Sequence, residues 1–216
     1  MNPRVRVKIC GIGTREDLAA AVNAGADAIG LIVGTTHLSE DDLDIEQARH
    51  LSAAAPVFLS RVLVTHLTDV SRICELADVI GVDTIQAHAP LTPAAARNLR
   101  RQRATRRIIR TLHITGEHSL DEADEASQDA DALLLDTRTE SRLGGTGLTH
   151  DWNISRRIVD RLHALPVILA GGLAADNVAA AIQAVRPFGV DANSRLKNPT
   201  GRKDPAACAA FVGRRQ

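Results

Sequence analysis

Val5-Arg6-Val7-Lys8-Ile9-Cys10-Gly11 is the stretch on which the fold turns. Val5, Val7 and Ile9 alternate with polar residues, the pattern of a strand with one apolar face buried. Gly11 and Gly13 interrupt it, and Thr14 offers a cap to a helix starting at Arg15. A cysteine therefore stands at the carboxyl end of a strand, just before a strand-to-helix turn. Parallel α/β folds bind ligands and carry catalytic groups at that edge. Lys8 and Cys10 are two apart and share a face, while Ile9 takes the other. Cys10 reads either as a small buried hydrophobe or as a reactive thiol, which needs a lowered pKa and access.

Outward from this unit the same beat repeats. Strands are expected at 28–33, 57–64, 84–87, 107–112, 132–135, 167–170 and 189–192. Helices are expected at 16–24, 45–55, from a Thr68 cap to 77, from a Thr92 cap through 99, and at 120–126, 154–162, 176–185 and 205–212. Eight strands alternating with eight helices predict a (β/α)8 TIM barrel, one domain over residues 1–216. The alternative is an open doubly wound sheet, but its dinucleotide fingerprint is missing. Gly11-Ile12-Gly13 is not followed by a third glycine at the right step.

Composition agrees with a parallel sheet. The chain is 44% hydrophobic but only 2% aromatic, with no tyrosine, so Ala, Val, Leu and Ile must fill the core. Lys and Arg number 26, as do Asp and Glu. Zero net charge gives no bulk field toward nucleic acid or a membrane. The one basic run, six arginines between Arg97 and Arg107, reads as an exposed helix end and loop, since no aromatic residues interleave it. Three widely spaced cysteines suggest reduced thiols in the cytoplasm. No charged-then-apolar leader opens the chain, and no apolar run is long enough to span a bilayer.

In a barrel the residues to read for chemistry are those at the carboxyl ends of the strands. Here they are Cys10, Gly34-Thr35, Thr65-His66, His88, His113, Asp136, Gly171-Gly172 and Asn193-Ser194. Asp136 emerges from Leu133-Leu134-Leu135, where desolvation would raise its pKa and suit it to general-acid work. The plainer reading has it bonding its own loop. Gly171 and Gly172, with the loop after the eighth strand, match the position where barrels bind phosphate. Leu143-Gly144-Gly145-Thr146-Gly147 reads as a loop that closes over a ligand, or as a surface turn. His66, His88 and His113 follow three successive strands and could converge on one metal ion, as in sugar-phosphate epimerases or aldolases.

Several stretches fall together in a family pattern. They are Lys8-Ile9-Cys10-Gly11, Gln86 with His88, Leu134-Leu135-Asp136-Thr137, Gly144-Gly145-Thr146-Gly147 with Asp151-Trp152, Leu169-Ala170-Gly171-Gly172-Leu173 with Asn177-Val178, Gly189-Val190-Asp191, and Gly201 with Lys203-Asp204. In this order they resemble phosphoribosylanthranilate isomerase over nearly the whole chain. The resemblance implies a (β/α)8 barrel of tryptophan biosynthesis that performs an Amadori rearrangement with no cofactor and no metal. It makes Asp136 the general acid and Cys10 the general base, with Lys8 favouring the thiolate. Gly171, Gly172, Asn193 and Ser194 would hold the phosphate, and Gln86, His88, Gly145 and Arg195 would complete the substrate contacts. The implied partner is a small phosphorylated sugar, with no nucleic acid and no membrane, on a monomer or homodimer.

Two departures bear on the substrate's ends. After strand two the family carries Lys-Ser-Pro-Arg, whose arginine meets the anthranilate carboxylate. Here Val33-Gly34-Thr35-Thr36-His37-Leu38-Ser39 holds neither Arg nor Pro. The strand-eight motif, usually Ser-Ser-Gly-Val-Glu, is Asn193-Ser194-Arg195-Leu196-Lys197. Arg195 removes a close backbone approach and adds a cation. Either Arg110 or His37 takes over the carboxylate, or the chain is a paralogue acting on another phosphorylated aminosugar.

Overall fold

The cap expected at Thr14 starts the first βα unit and proves to be reciprocal. In the computed structural model, which describes residues 4–36, 39–137 and 151–215, β1 (Arg6–Ile9) leads into α1 (Arg15–Ala24). The Thr14 hydroxyl accepts from the Asp17 N–H, and the Asp17 carboxylate accepts from the Thr14 N–H. Gly25, left-handed at φ 83, ends the helix. The same unit recurs as β2 (Ala28–Ile32), α2 (Ile45–Ala54), β3 (Ser60–Thr65), α3 (Val70–Ile80), β4 (Thr84–Ala87), α4 (Pro93–Gln102), β5 (Arg107–Ile114) and α5 (Ser119–Ser127). It continues as β6 (Ala132–Thr137), α6 (Trp152–Arg161), β7 (Val167–Leu169), α7 (Val178–Val185), β8 (Gly189–Ala192) and α8 (Pro205–Gly213), with a 3-10 turn at Ser194–Leu196 before α8. Every neighbouring pair is parallel, the strands follow chain order, and β8 pairs with β1. The closed (β/α)8 barrel is the expected fold.

The boundaries differ in instructive places. The apolar run at 57–64 starts pairing only at Ser60. Val57 and Phe58 are 83% and 101% exposed, and Phe58 has φ 70, outside strand geometry. Asp69, not Thr68, caps α3 by accepting from the Ser71 and Arg72 N–H groups. α7 begins two residues later than the pattern suggested, and β5 runs on to Ile114. That extension carries His113 into the ladder opposite Asp136.

Alternation along the strands sorts the core into two shells. Val7, Ile9, Ile29, Leu31, Leu63, Ile85, Leu133, Leu135 and Val190 pack outward against the helices. Cys10, Val62, Val64, Ile109, Leu134 and Ala170 cluster separately inside the barrel. At the β1–β8 seam the interior turns polar. Lys8 Nζ lies 2.8 Å from Asp191 Oδ2, both side chains are under a tenth exposed, and the two residues are register partners. On the opposite wall Gln86 Nε2 donates to Thr111 Oγ1 at 3.2 Å.

Removing one member of a buried ion pair strands the other charge, at a cost of about 3–5 kcal/mol. Lys8→Met should lower stability in urea melts by that order. The double variant Lys8→Met/Asp191→Leu should regain most of the loss.

Candidate active site

The barrel mouth collects the inward residues at the strand ends. Cys10 follows β1, and its N–H donates to the Ala192 carbonyl at 2.9 Å. Its sulfur lies over β2 at Gly30, where an added Cβ would come within 2.6 Å of Sγ. The shared face expected for Lys8 and Cys10 is present, since Cys10 Sγ and Lys8 Cε both lie against Gly30 of β2. Burial pushes the Cys10 thiol up, Lys8 and Lys203 pull it down, and Asp191 opposes them; the net shift is upward. Lys8 favours the thiolate as expected but does not outweigh desolvation. Burial works against the Lys8 ammonium too, yet Asp191 and Cys10 hold its pKa above the ordinary lysine value.

Asp136 stands across the mouth on β6, 8% exposed. Burial is the main cause of a carboxyl pKa pushed up to about 7. The N–H of Thr137, donating to Oδ1 at 2.8 Å, pulls the other way, while Asp191 adds to the rise. Asp136 thus bonds the backbone of its own loop and, as its apolar strand suggested, has a raised pKa.

Between them, β3, β4 and β5 bring three imidazoles together. The His66 and His88 rings stack with centroids 4.8 Å apart and planes 9° apart. His113 stands edge-on to His88, at 5.2 Å and 79°. His88 Nε2 is 3.9 Å from Asp136 Oδ2. The ligating atoms of His88, His113 and Asp136 all lie within 4.8 Å of one another. Ligands of a tetrahedral zinc ion, each about 2.0–2.2 Å from the metal, sit roughly 3.5 Å apart. The group whose ligand atoms come together is thus His88, His113 and Asp136, with His66 stacked beside it and not part of it as the sequence had suggested.

The opposite arc is built from backbone. Gly171 and Gly172 have φ 85 and 66. A Cβ on Gly171 would meet Thr137 Oγ1 at 2.2 Å, so glycine is required where β7 passes the end of β6. Ser194 opens the 3-10 turn. Arg195 reaches back, donating to the Gly172 carbonyl at 3.0 Å and to Asp176 Oδ2 at 2.7 Å. The Asn193 side chain faces neighbouring loops: its amide donates to Asp41 Oδ2 at 2.9 Å, and Lys203 Nζ donates to its Oδ1 at 2.6 Å. Gln86 is fully buried below the mouth. Arg110 points outward, donating to the Leu91 carbonyl, so it does not line the mouth. Gly145 and His37 lie outside the described residues.

Sequence reasoning passed over Asp191 and Lys203 as site residues. Asp191 was legible, since it alternates with the buried Val190. Lys203 stood in the family pattern with Gly201 and Asp204, but no strand or helix period pointed it toward Cys10. Also missed was a strap in which Lys197 Nζ contacts Glu40 Oε1 at 2.6 Å and Asp41 Oδ1 at 2.8 Å. It ties the loop after β8 to the loop after β2.

The family profile described as N-(5'phosphoribosyl)anthranilate (PRA) isomerase matches residues 7–214. N-(5'-phosphoribosyl)anthranilate isomerase 2 of Methanosarcina mazei is 41% identical over 212 residues, 97% of this chain and 93% of that protein. The crystal structure of phosphoribosyl anthranilate isomerase from Thermotoga maritima superposes with a TM-score of 0.86 at 30% identity, covering 98% of each chain. A phosphoribosyl anthranilate isomerase in complex with reduced 1-(o-carboxyphenylamino)-1-deoxyribulose 5-phosphate superposes with a TM-score of 0.81 at 28% identity, again over 98% of each chain. With its barrel, its strand-end cysteine and its buried carboxyl, this chain belongs to the N-(5'-phosphoribosyl)anthranilate isomerase family.

Proposed function

We propose that the chain converts N-(5'-phosphoribosyl)anthranilate to 1-(o-carboxyphenylamino)-1-deoxyribulose 5-phosphate, an aldose–ketose isomerisation of tryptophan biosynthesis, with Asp136 as general acid and Cys10 as general base. The carrying observation is the Asp136 carboxyl, which burial keeps protonated up to about pH 7. A protonated Asp136 gives its proton to the furanose ring oxygen as the C1–O bond breaks and the amine nitrogen forms an iminium with C1. The iminium acidifies the C2–H bond, and the Cys10 thiolate removes that proton. The resulting enolamine ketonises to the product. The N–H groups of Gly171 and Gly172, the Ser194 hydroxyl and Arg195 hold the phosphate, and Lys8 and Lys203 support the thiolate. Gln86 acts from beneath the mouth by fixing the wall through Thr111.

The three cysteines are free, and among the described residues no helix is long and apolar enough to cross a membrane. Both fit a cytoplasmic enzyme. A homodimer is favoured by Phe58, fully exposed at the amino-terminal rim of the barrel. The same rim holds a hollow of about 390 Å³ lined by Ile109, Ala132, Pro166, Ile168 and Phe188. Sedimentation should show a dimer that Phe58→Glu converts to monomer; a monomeric unaltered chain would rule the dimer out.

The direct test is turnover of N-(5'-phosphoribosyl)anthranilate, followed by loss of its fluorescence. Asp136→Asn should lower kcat by about 10²–10⁴-fold, the usual worth of a positioned acid, and Cys10→Ala should be as damaging. Full activity in either variant would sink the assigned role. The pH profile is equally specific. Activity needs protonated Asp136 together with thiolate Cys10. Below about pH 7 the acid stays loaded and the rate climbs about tenfold per unit with the thiolate fraction. Above that point the loss of acid cancels the gain of base, and the rate levels off. The break near pH 7 should disappear in Asp136→Asn, whose residual rate should keep climbing.

Asp136 also sets a stability trend. Its folded pKa lies above the ordinary carboxyl value, so the folded state holds the proton more tightly. That stabilisation is complete below about pH 4 and is lost as pH rises through about 7, up to about 4 kcal/mol in all. Asp136→Asn should therefore gain on the unaltered protein in urea melts between about pH 5 and pH 8.

A further inference from the structure

We propose that Asp41, on the loop after β2, is a positioning residue for the general base, fixing through the Asn193 amide the Lys203 ammonium that accompanies the Cys10 thiolate. This rests on the isomerase reading above and specifies how a charged loop outside the acid–base pair takes part in the chemistry.

A buried thiol forms its thiolate only with a cation nearby. Two buried lysines act on Cys10, and they are held differently. Lys8 contacts Asp191 at 2.8 Å, so its charge is answered by a carboxylate that itself works against the thiolate. Lys203, 4% exposed, donates to the Asn193 carbonyl at 3.3 Å and to Asn193 Oδ1 at 2.6 Å. Both acceptors are neutral, so neither cancels the ammonium charge. Asn193 lies against the residue after Cys10: a Cβ on Gly11 would come within 2.5 Å of Asn193 Oδ1. The ammonium bound to that oxygen therefore stands beside the turn that carries the thiol, and it pulls the Cys10 pKa down.

Asp41 decides which end of the Asn193 amide meets the lysine. Asn193 Nδ2 donates to Asp41 Oδ2 at 2.9 Å, which leaves Oδ1 to accept from Lys203. Without that acceptor the amide can turn its NH2 toward the ammonium, donor against donor. Asp41 is fixed from its other side, with Oδ1 2.8 Å from Lys197 Nζ. Lys203 is pinned at its backbone: its N–H donates to Asp17 Oδ1 at 2.8 Å, and Lys197 is its antiparallel bridge partner. The charged and titratable groups facing Lys203 include Cys10, Asp41, Lys197 and Cys208. Burial lowers its pKa, and Cys10 and Asp41 work to keep it charged. Those facing Cys10 include Lys8, Asp191 and Lys203. A chain of contacts thus runs from the loop after β2 to the base, through Asp41, Asn193 and Lys203.

The test reads the rate at which iodoacetamide alkylates Cys10 near neutral pH, followed at that residue by peptide mass spectrometry. The second readout is kcat with N-(5'-phosphoribosyl)anthranilate. Both scale with the thiolate fraction. Lys203→Gln keeps a donor for Asn193 and removes the charge. It should slow alkylation about tenfold, the worth of one pKa unit, and lower kcat alike with KM little changed. Lys203→Arg should retain most of both. Asp41→Ala should slow alkylation several-fold, and should add no further loss in the Lys203→Gln background. Glu40→Gln removes a Lys197 contact but not the Asn193 acceptor, and should leave the rate in place. The sign for Asp41→Ala is decisive. If Asp41 acted on the thiolate by its own field, deleting the anion would speed alkylation. If it only tied two loops together, the rate would not move. Either result would overturn the proposal, as would losses that add in the double variant or an unchanged rate in Lys203→Gln. A Cys10 that resists the reagent while the enzyme turns over leaves kcat to decide in the same terms. Neither alkylation nor turnover in the folded, unaltered protein would overturn the isomerase reading and this proposal with it. The expected alkylation pattern without turnover would overturn the isomerase reading alone, with the control of the thiol by Asp41 and Lys203 left standing.

Discussion

The buried pair of Lys8 and Asp191 is the constraint from which the site follows. It joins residues from opposite ends of the chain at the seam where β8 closes on β1. Two charges in an apolar barrel are tolerable only because each neutralises the other. The pair lies directly beneath the reacting groups. Lys8 pulls the Cys10 thiol down while Asp191 pushes it and the Asp136 carboxyl up. Burial is the larger cause of both shifts, and the pair that closes the barrel modulates each of them.

Around this pair, side chains and backbone build different arcs of the mouth. Asp136 ends a strand whose other inward residues, Ala132 and Leu134, pack within the barrel, whereas Cys10 stands above the charged Lys8. The arc proposed for the phosphate is mostly backbone, turned by left-handed glycines. The arc of β3 to β5 carries imidazole side chains. A rigid acid–base core with an adjustable rim is how a barrel can alter substrate contacts and keep its reaction.

Much of this was legible in the sequence because it follows from alternation. Val5, Val7 and Ile9 fix which way Cys10 points, and Leu133-Leu134-Leu135 announces the desolvated Asp136. What was misread breaks the alternation rule. Val57 and Phe58 are apolar but belong to an exposed turn after Pro56, where Phe58 takes a left-handed backbone. The resemblance assigns Asn193 to the phosphate, and what the sequence did not announce is that its side chain also meets Asp41 and Lys203. Asp41 lies 152 residues away in the chain and Lys203 only 10, on the irregular segment before α8, and neither contact follows from a strand or helix period.

The strap between the loops after β2 and β8 places the two sequence departures in one ionic cluster. Where the resembled family has a basic loop after strand two and a Glu at the end of its strand-eight motif, this chain has Glu40 and Asp41 facing Lys197. Relative to that pattern the charge is reversed in both loops. An arginine grafted into the strand-two loop alone would arrive opposite a lysine and leave carboxylates unmatched. Interconverting the two rims means exchanging both loops together. A search for relatives of this type should therefore look for the reversed pair of loops as one linked character, since either loop alone reads as a loss.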